Sequence, residues 1–253
     1  MSSLQSFDLS PGAWVIAVLC AIMIGMSKTG VSGLSILYIP VLAALFGGRL
    51  STGILLPMLI MADMLAIIYY RRHAEWKYVF RVLPWALVGI SIGLFVGRSI
   101  SDILFGRLIA VLVIISLAVG IWSDSAKGEK TIPHKWWFAA SFGLLGGFST
   151  MIGNAAGPLM AVYLLAMGLP KKTFVGTAAW FFAIVNLIKL PLQVWWWDNI
   201  YADGLCLNAV LLPAIAVGAF LGVMFLKHIP ERYFRIFILV TTLAGALYLL
   251  IKQ

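Results

Sequence analysis

The sequence predicts an all-α polytopic membrane protein of two inverted repeats, each a broken or re-entrant helix pair plus three transmembrane helices. Three observations carry that expectation. Hydrophobic residues make up 62% of the 253-residue chain, mean hydropathy is +1.04 and only 11% of residues are charged, against about 25% in soluble domains. Two apolar segments are interrupted near their middles by glycines and small polar residues. The two halves of the chain also match one another at near-constant offsets.

The apolar stretches run 12–27, 31–46, 52–70, 79–97, 103–122, 136–149, 155–168, 173–195, 206–226 and 232–250. Six of them have 19 residues or more, close to the ~20 that a helical crossing needs. Their apolar runs are continuous, without the alternation of a membrane barrel. The other four are short and form two pairs, 12–27 with 31–46 and 136–149 with 155–168. The first pair is joined by Gly25-Met26-Ser27-Lys28-Thr29-Gly30-Val31-Ser32-Gly33, the second by Gly146-Gly147-Phe148-Ser149-Thr150-Met151-Ile152-Gly153-Asn154-Ala155-Ala156-Gly157-Pro158. Each pair reads as two tight crossings or as a re-entrant hairpin. Either returns the chain to the side it came from.

The last hairpins of the two halves match at an offset of 129: Pro84 with Pro213, Gly89 with Gly218, Gly93 with Gly222, Arg98 with Lys227, Ile100 with Ile229, Asp102 with Glu231 and Phe105 with Phe234. The breaks match at an offset nearer 122, which sets Ser27 against Ser149. A broken pair plus three crossings is an odd number of net crossings, so the second unit starts on the opposite side of the membrane. That divides the chain into a first repeat over 1–122, a polar linker over 123–135 and a second repeat over 136–253. Inverted repeats suit a transporter, because they allow outward-open and inward-open states of similar energy.

The net charge of +9 sits mostly in short loops, where it reads as a topology signal rather than a nucleic-acid footprint. Arg71, Arg72, Lys77, Arg81, Lys127, Lys130, Lys135, Lys171, Lys172, Lys227, Arg232 and Arg235 fall on one side, which is expected to be cytoplasmic. Arg49, Arg98, Arg107, Lys252, Asp198 and Asp203 fall on the other, with both termini. Trp195-Trp196-Trp197 and Trp136-Trp137 are expected as outer and inner interfacial belts. Cys20 and Cys206 are expected as buried packing residues. His73, His134 and His228 are too scattered for a metal site, and no cofactor motif is present.

Polar residues inside apolar segments are the candidates for function. In the first break Ser27, Lys28, Thr29 and Gly30 combine a cation and hydroxyls with free N–H groups at a half-helix start, a pattern that suits an anion. The second break supplies neutral donors at Ser149, Thr150 and Asn154. Asp63 lies deep in 52–70, at the depth of Asn186, and is a candidate to accept a coupling proton or pair with a buried cation. Lys189 lies nearer the outer surface, where it lines a vestibule or snorkels. Asn208 is expected at an interface. A single deep carboxylate is too little for an intramembrane enzyme.

The chain resembles the TauE/SafE sulfite-exporter family, also described as sulfite/organosulfonate permeases. The resemblance covers nearly the whole chain. It is most specific in the break from Gly25 to Gly33 followed by Leu34 through Leu42 with Pro40, and in Gly146-Gly147 through Gly157-Pro158. Met26, Ser27, Lys28 and Thr29 stand where several members are richer in glycine. The resemblance implies a bacterial inner-membrane exporter of small anions such as sulfite, sulfonates or small carboxylates. The expected function is therefore secondary transport of a small anion by alternating access, with a passive small-anion channel as the alternative. Partners are that anion, with proton coupling left open, and the lipid bilayer. No nucleic acid is expected, and a homodimer is left open.

Overall fold

The computed structural model describes residues 9–31, 33–101 and 136–228, with single positions at 104, 108, 111, 230, 233 and 236. The crossings expected over 103–122 and 232–250 fall outside these residues apart from those positions. So do the linker 123–135, both termini, Arg107, His134 and Arg235, and the matches at Asp102, Phe105, Ile229, Glu231 and Phe234.

Every regular element among the described residues is helical. They are α1 (Pro11–Thr29), α2 (Ser35–Phe46), α3 (Gly48–Tyr70), a short 3-10 turn (Arg71–His73), α4 (Trp76–Ser99), α5 (Trp136–Gly153), α6 (Gly157–Ala166), α7 (Lys171–Trp195) and α8 (Ala202–His228). Five of these regions, containing α1, α3, α4, α7 and α8, are long and apolar enough to cross a membrane. The molecule is a multi-pass membrane protein.

The ends of the elements follow from local chemistry. Ser10 caps α1 by accepting a hydrogen bond from the Ala13 N–H at 3.3 Å, and Pro11 occupies the first turn, where its missing donor costs nothing. Lys28 lies in the last turn of α1, where a cation complements the helix dipole. Hence α1 runs through Ser27, Lys28 and Thr29, which the sequence had placed in the break. The break itself begins only at Gly30, and Lys28 stands at a helix end rather than a helix start. In the second half α5 ends at Gly153, and Asn154 adopts φ 56°, the left-handed conformation that stops helices. Interior prolines stand at positions 40, 57, 84, 191 and 213, as membrane helices tolerate more readily than soluble ones.

The 12 residues of α2 and 10 residues of α6 reach only about 18 Å and 15 Å at 1.5 Å per residue, short of a ~30 Å hydrocarbon core. The core is set by two helix pairs that cross between the halves. α1 packs along α8, and α4 along α5. Both contacts depend on glycine. A side chain at Gly25 would strike the backbone of Ile215, and one at Gly218 the backbone of Ile22; likewise one at Gly147 would strike Ala86, and one at Gly89 would strike Leu144. Close backbone approach through small residues is how membrane helices associate without a hydrophobic driving force.

Between these pairs α3 and α7 run antiparallel. Asn199, just past α7, donates to the Arg49 carbonyl at 3.3 Å near the start of α3. At the other end Thr177 accepts from the Glu75 N–H at 3.0 Å. Arg71, Arg72, Lys77, Lys171, Lys172 and Lys227 therefore lie at one end of the bundle, at the ends of α3 and α8 and the starts of α4 and α7. Large apolar side chains such as Leu19, Phe80, Phe95 and Phe220 are exposed around the outside, as lipid contact requires.

Three packing expectations change. Trp195 and Trp196 are exposed as an interfacial belt requires, but Trp197 is buried and its indole N–H donates to the Leu94 carbonyl at 3.1 Å. Asn208 is fully buried and ties α8 to α3 through the Ile54 carbonyl. Cys20 is buried, whereas Cys206 is only half-buried.

Candidate functional site

Six polar side chains gather where the two breaks meet α3 and α7. Lys28 Nζ lies 2.8 Å from Asp63 Oδ1, and Asp63 is fully buried. This is an ion pair rather than a directed hydrogen bond, since Oδ1 receives no well-aligned donor. The other oxygen, Oδ2, accepts a hydrogen bond from Asn186 Nδ2 at 2.7 Å. Lys28 Nζ also sits 4.1 Å from the centre of the Phe182 ring, a second attraction for its charge.

Lys189 is where the structure departs furthest from expectation. It neither snorkels nor lines an outer vestibule: it is fully buried. Its ammonium donates to Thr150 Oγ1 at 3.0 Å, to Asn154 Oδ1, and to Asn186 Oδ1 at 3.4 Å. The second break thus acquires a cation from α7, although its own residues are neutral. The Asn186 amide is oriented by both neighbours, giving a hydrogen bond to Asp63 and taking one from Lys189. Lys28, Asp63, Asn186, Lys189, Thr150 and Asn154 form one continuous network.

Beside it lies a cavity lined by Ser27, Lys28, Ser35, Thr150, Asn154 and Asn186 on its polar side and by residues of α6 and α7 such as Met160 and Phe182 on its apolar side. It gives about 50 Å³ to the centres of water-sized molecules, where one water needs roughly 10–15 Å³. A few waters or one small ion therefore fit. With its three ionisable groups charged, the network of two lysines and one aspartate carries one net positive charge. Besides the Asp63 carboxylate, its groups are lysine amines, amides and hydroxyls, which can donate to an anion. Among the described residues no three His, Cys, Asp or Glu side chains gather.

A family model described as Sulfite exporter TauE/SafE matches residues 17–249. The chain belongs to the sulfite exporter TauE/SafE family. No curated protein and no solved structure matches it. Membership of the TauE/SafE family makes it a membrane transporter of sulfite or related anions, and not an enzyme. The buried cationic network is where such an anion would be sought in this TauE/SafE chain.

Not every candidate from the sequence faces the cavity. Thr29 is buried, and its hydroxyl donates to the carbonyls of Gly25 at 3.0 Å and Ala219 at 2.8 Å, so it fastens α1 to α8. Gly30 packs against the backbone of Gly222. Ser149 is fully buried and does not line the cavity. Ser27 does line it, with its hydroxyl turned to the Ile24 carbonyl at 2.8 Å and to Tyr38 Oη at 3.4 Å. The residues that sequence reasoning missed are Ser35 and Tyr38. They stand three apart on α2, the spacing that puts side chains on one helix face. The same spacing between Asn186 and Lys189 was the available sign that Lys189 turns inward with Asn186.

Proposed function

We propose that this protein is a secondary transporter of small oxyanions, such as sulfite or short organosulfonates. It works by alternating access around the Lys28–Asp63–Asn186–Lys189 network, with export where the outward anion gradient outweighs the proton gradient. The observation that carries this is two interior lysines joined to one carboxylate, Lys28 directly and Lys189 only through Asn186. A buried charge needs a partner, and Asp63 cannot balance both lysines. An incoming oxyanion balances the second and competes with Asp63 for Lys28. A proton taken by Asp63 then releases Lys28 to the anion, which couples proton and substrate.

Alternating access draws support from matched contacts in the two halves. Gly25 against Ile215 and Gly147 against Ala86 correspond at offsets of 122 and 129, and so do Gly218 against Ile22 and Gly89 against Leu144. Asp63 and Asn186, separated by 123 positions, meet each other. Such pairing is what two inverted repeats related by an axis in the membrane plane would produce. In that arrangement α1–α2 and α5–α6 are re-entrant hairpins entering from opposite sides. The end that collects Arg71, Arg72 and Lys171 faces the cytoplasm of a bacterial inner membrane, and the termini face the periplasm.

The test is oxyanion flux in liposomes containing the purified protein. Wild type should move sulfite or a sulfonate, and Lys28→Ala should lose at least tenfold in rate. Absence of flux and of binding for sulfite, sulfonates, thiosulfate and small carboxylates, with Lys28→Ala no different from wild type, would sink the proposal.

A further inference from the structure

We infer that the oxyanion head is received between the N-termini of α2 and α6, with Ser35 Oγ as its hydroxyl donor. The two lysines supply charge from behind. This rests on the transporter function proposed above and assigns its head-group subsite to a residue that neither break motif contains.

α2 begins at Ser35 and α6 at Gly157, and neither N-terminus has a side-chain cap. The first N–H groups of a helix have no partner within it. In a surface loop water would satisfy them, but these ends lie inside the protein at the cavity. Both are the positive ends of helix dipoles, and two such ends brought together repel unless an anion sits between them.

A separate observation points to the same place. Ser35 is 6% exposed, its Oγ has no hydrogen-bond partner, and it lines the cavity. A buried hydroxyl left unpaired is costly, and a ligand oxygen would remove that cost. Gly157 keeps the hydroxyl accessible, because a Cβ there would lie 2.8 Å from Ser35 Oγ. The lysines are committed elsewhere: Lys28 to Asp63 and the Phe182 face, Lys189 to Thr150, Asn154 and Asn186. Until Asp63 releases Lys28, the donors open to the head group are therefore the neutral ones. Several donors converging from two helices suit a head group with two or three oxygens on one centre. A sulfite, sulfonate or carboxylate fits this description.

The experiment titrates the purified full-length protein with sodium sulfite and with sodium methanesulfonate. Sodium chloride at matched ionic strength is the control. Both Kd and thermal midpoint are followed. Ser35→Ala loses no hydrogen bond of the ligand-free protein, so its midpoint without ligand should not fall. Its Kd for both oxyanions should rise by roughly tenfold or more, as for loss of one hydrogen bond to a charged group. Gly157→Ala keeps the hydroxyl but crowds it, and should raise Kd at least as much. A Kd within twofold of wild type in either variant overturns the subsite while leaving transport intact. Wild-type protein that binds neither oxyanion overturns the transport proposal and this subsite together.

Discussion

Asp63 has two kinds of partner at once: a cation at 2.8 Å on one oxygen and an amide donor at 2.7 Å on the other. That arrangement makes the carboxylate the resident occupant of Lys28. An anion arriving in the cavity must displace it or wait for it to be protonated. For methanesulfonate, whose own charge does not change between mildly acid and neutral pH, wild-type affinity should rise as pH falls, because protonation removes the competitor. Asp63→Asn should bind roughly tenfold more tightly than wild type at neutral pH, the scale of one charge-assisted contact. Its affinity should be flat with pH, and its proton-driven flux should be lost. Calorimetric titration at both pH values checks this, and an unchanged pH dependence in Asp63→Asn would remove Asp63 from coupling. Asn186 acts through its neighbours, holding Asp63 and Lys189 in one network rather than touching the cavity alone.

At the scale of elements, the break after α5 does two jobs with one residue. Asn154 stops the helix in a left-handed conformation and accepts from Lys189. Its amide also reaches the Thr52 carbonyl at 3.4 Å. These jobs separate by mutation. Asn154→Gly should keep the backbone at little cost, whereas Asn154→Ala should lose about 1 kcal/mol of stability through strain at positive φ. Both remove the acceptor for Lys189, so both should lose transport. Equal thermal stability of the two variants would show that the backbone there is not strained. The helix pairs α1–α8 and α4–α5 make a related point. Their glycines matter because a side chain would meet backbone, which cannot move aside, so Gly147→Leu should prevent normal packing of α4 on α5.

At the scale of the whole molecule, the end that carries the α2–α3 link and the exit of α7 is tied together by Thr52 and Asn199. Asn199 Nδ2 donates to Thr52 Oγ1 at 3.1 Å, and Arg49 donates to the carbonyls of Gly97 at 2.8 Å and Ile100 at 3.0 Å. Alternating access requires this seam to part. A Thr52→Cys, Asn199→Cys double variant should transport when reduced, stop when oxidised to the disulfide, and recover on reduction. Flux that is indifferent to the cross-link would argue for a permanently open path elsewhere.

The membrane class and the neighbourhood of both breaks were legible in the sequence, because each is written in local composition. So was the depth of Asp63 and Asn186, which residue counting along a regular helix supplies. The ends of α1 and α5 were harder to read, since Ser27, Lys28, Ser149 and Thr150 are polar yet still helical. Ser27 is satisfied by the preceding turn, and Lys28 and Thr150 by other helices, which a one-dimensional pattern does not record.

Linear order alone determined that this chain lives in a membrane, breaks two of its helices and carries few ionisable groups between them. Tertiary structure decided which of those groups meet. Lys189 looks like a snorkelling lysine along its own helix, and becomes the cation of the second break only because α5 places Thr150 and Asn154 beside it. Thr29 looks like a ligand in its motif, and becomes a fastener because α8 offers a carbonyl at 2.8 Å. The physical reason is the same in both cases. A polar group inside a bilayer must find a partner, and which partner is within reach depends on helices far away in the chain.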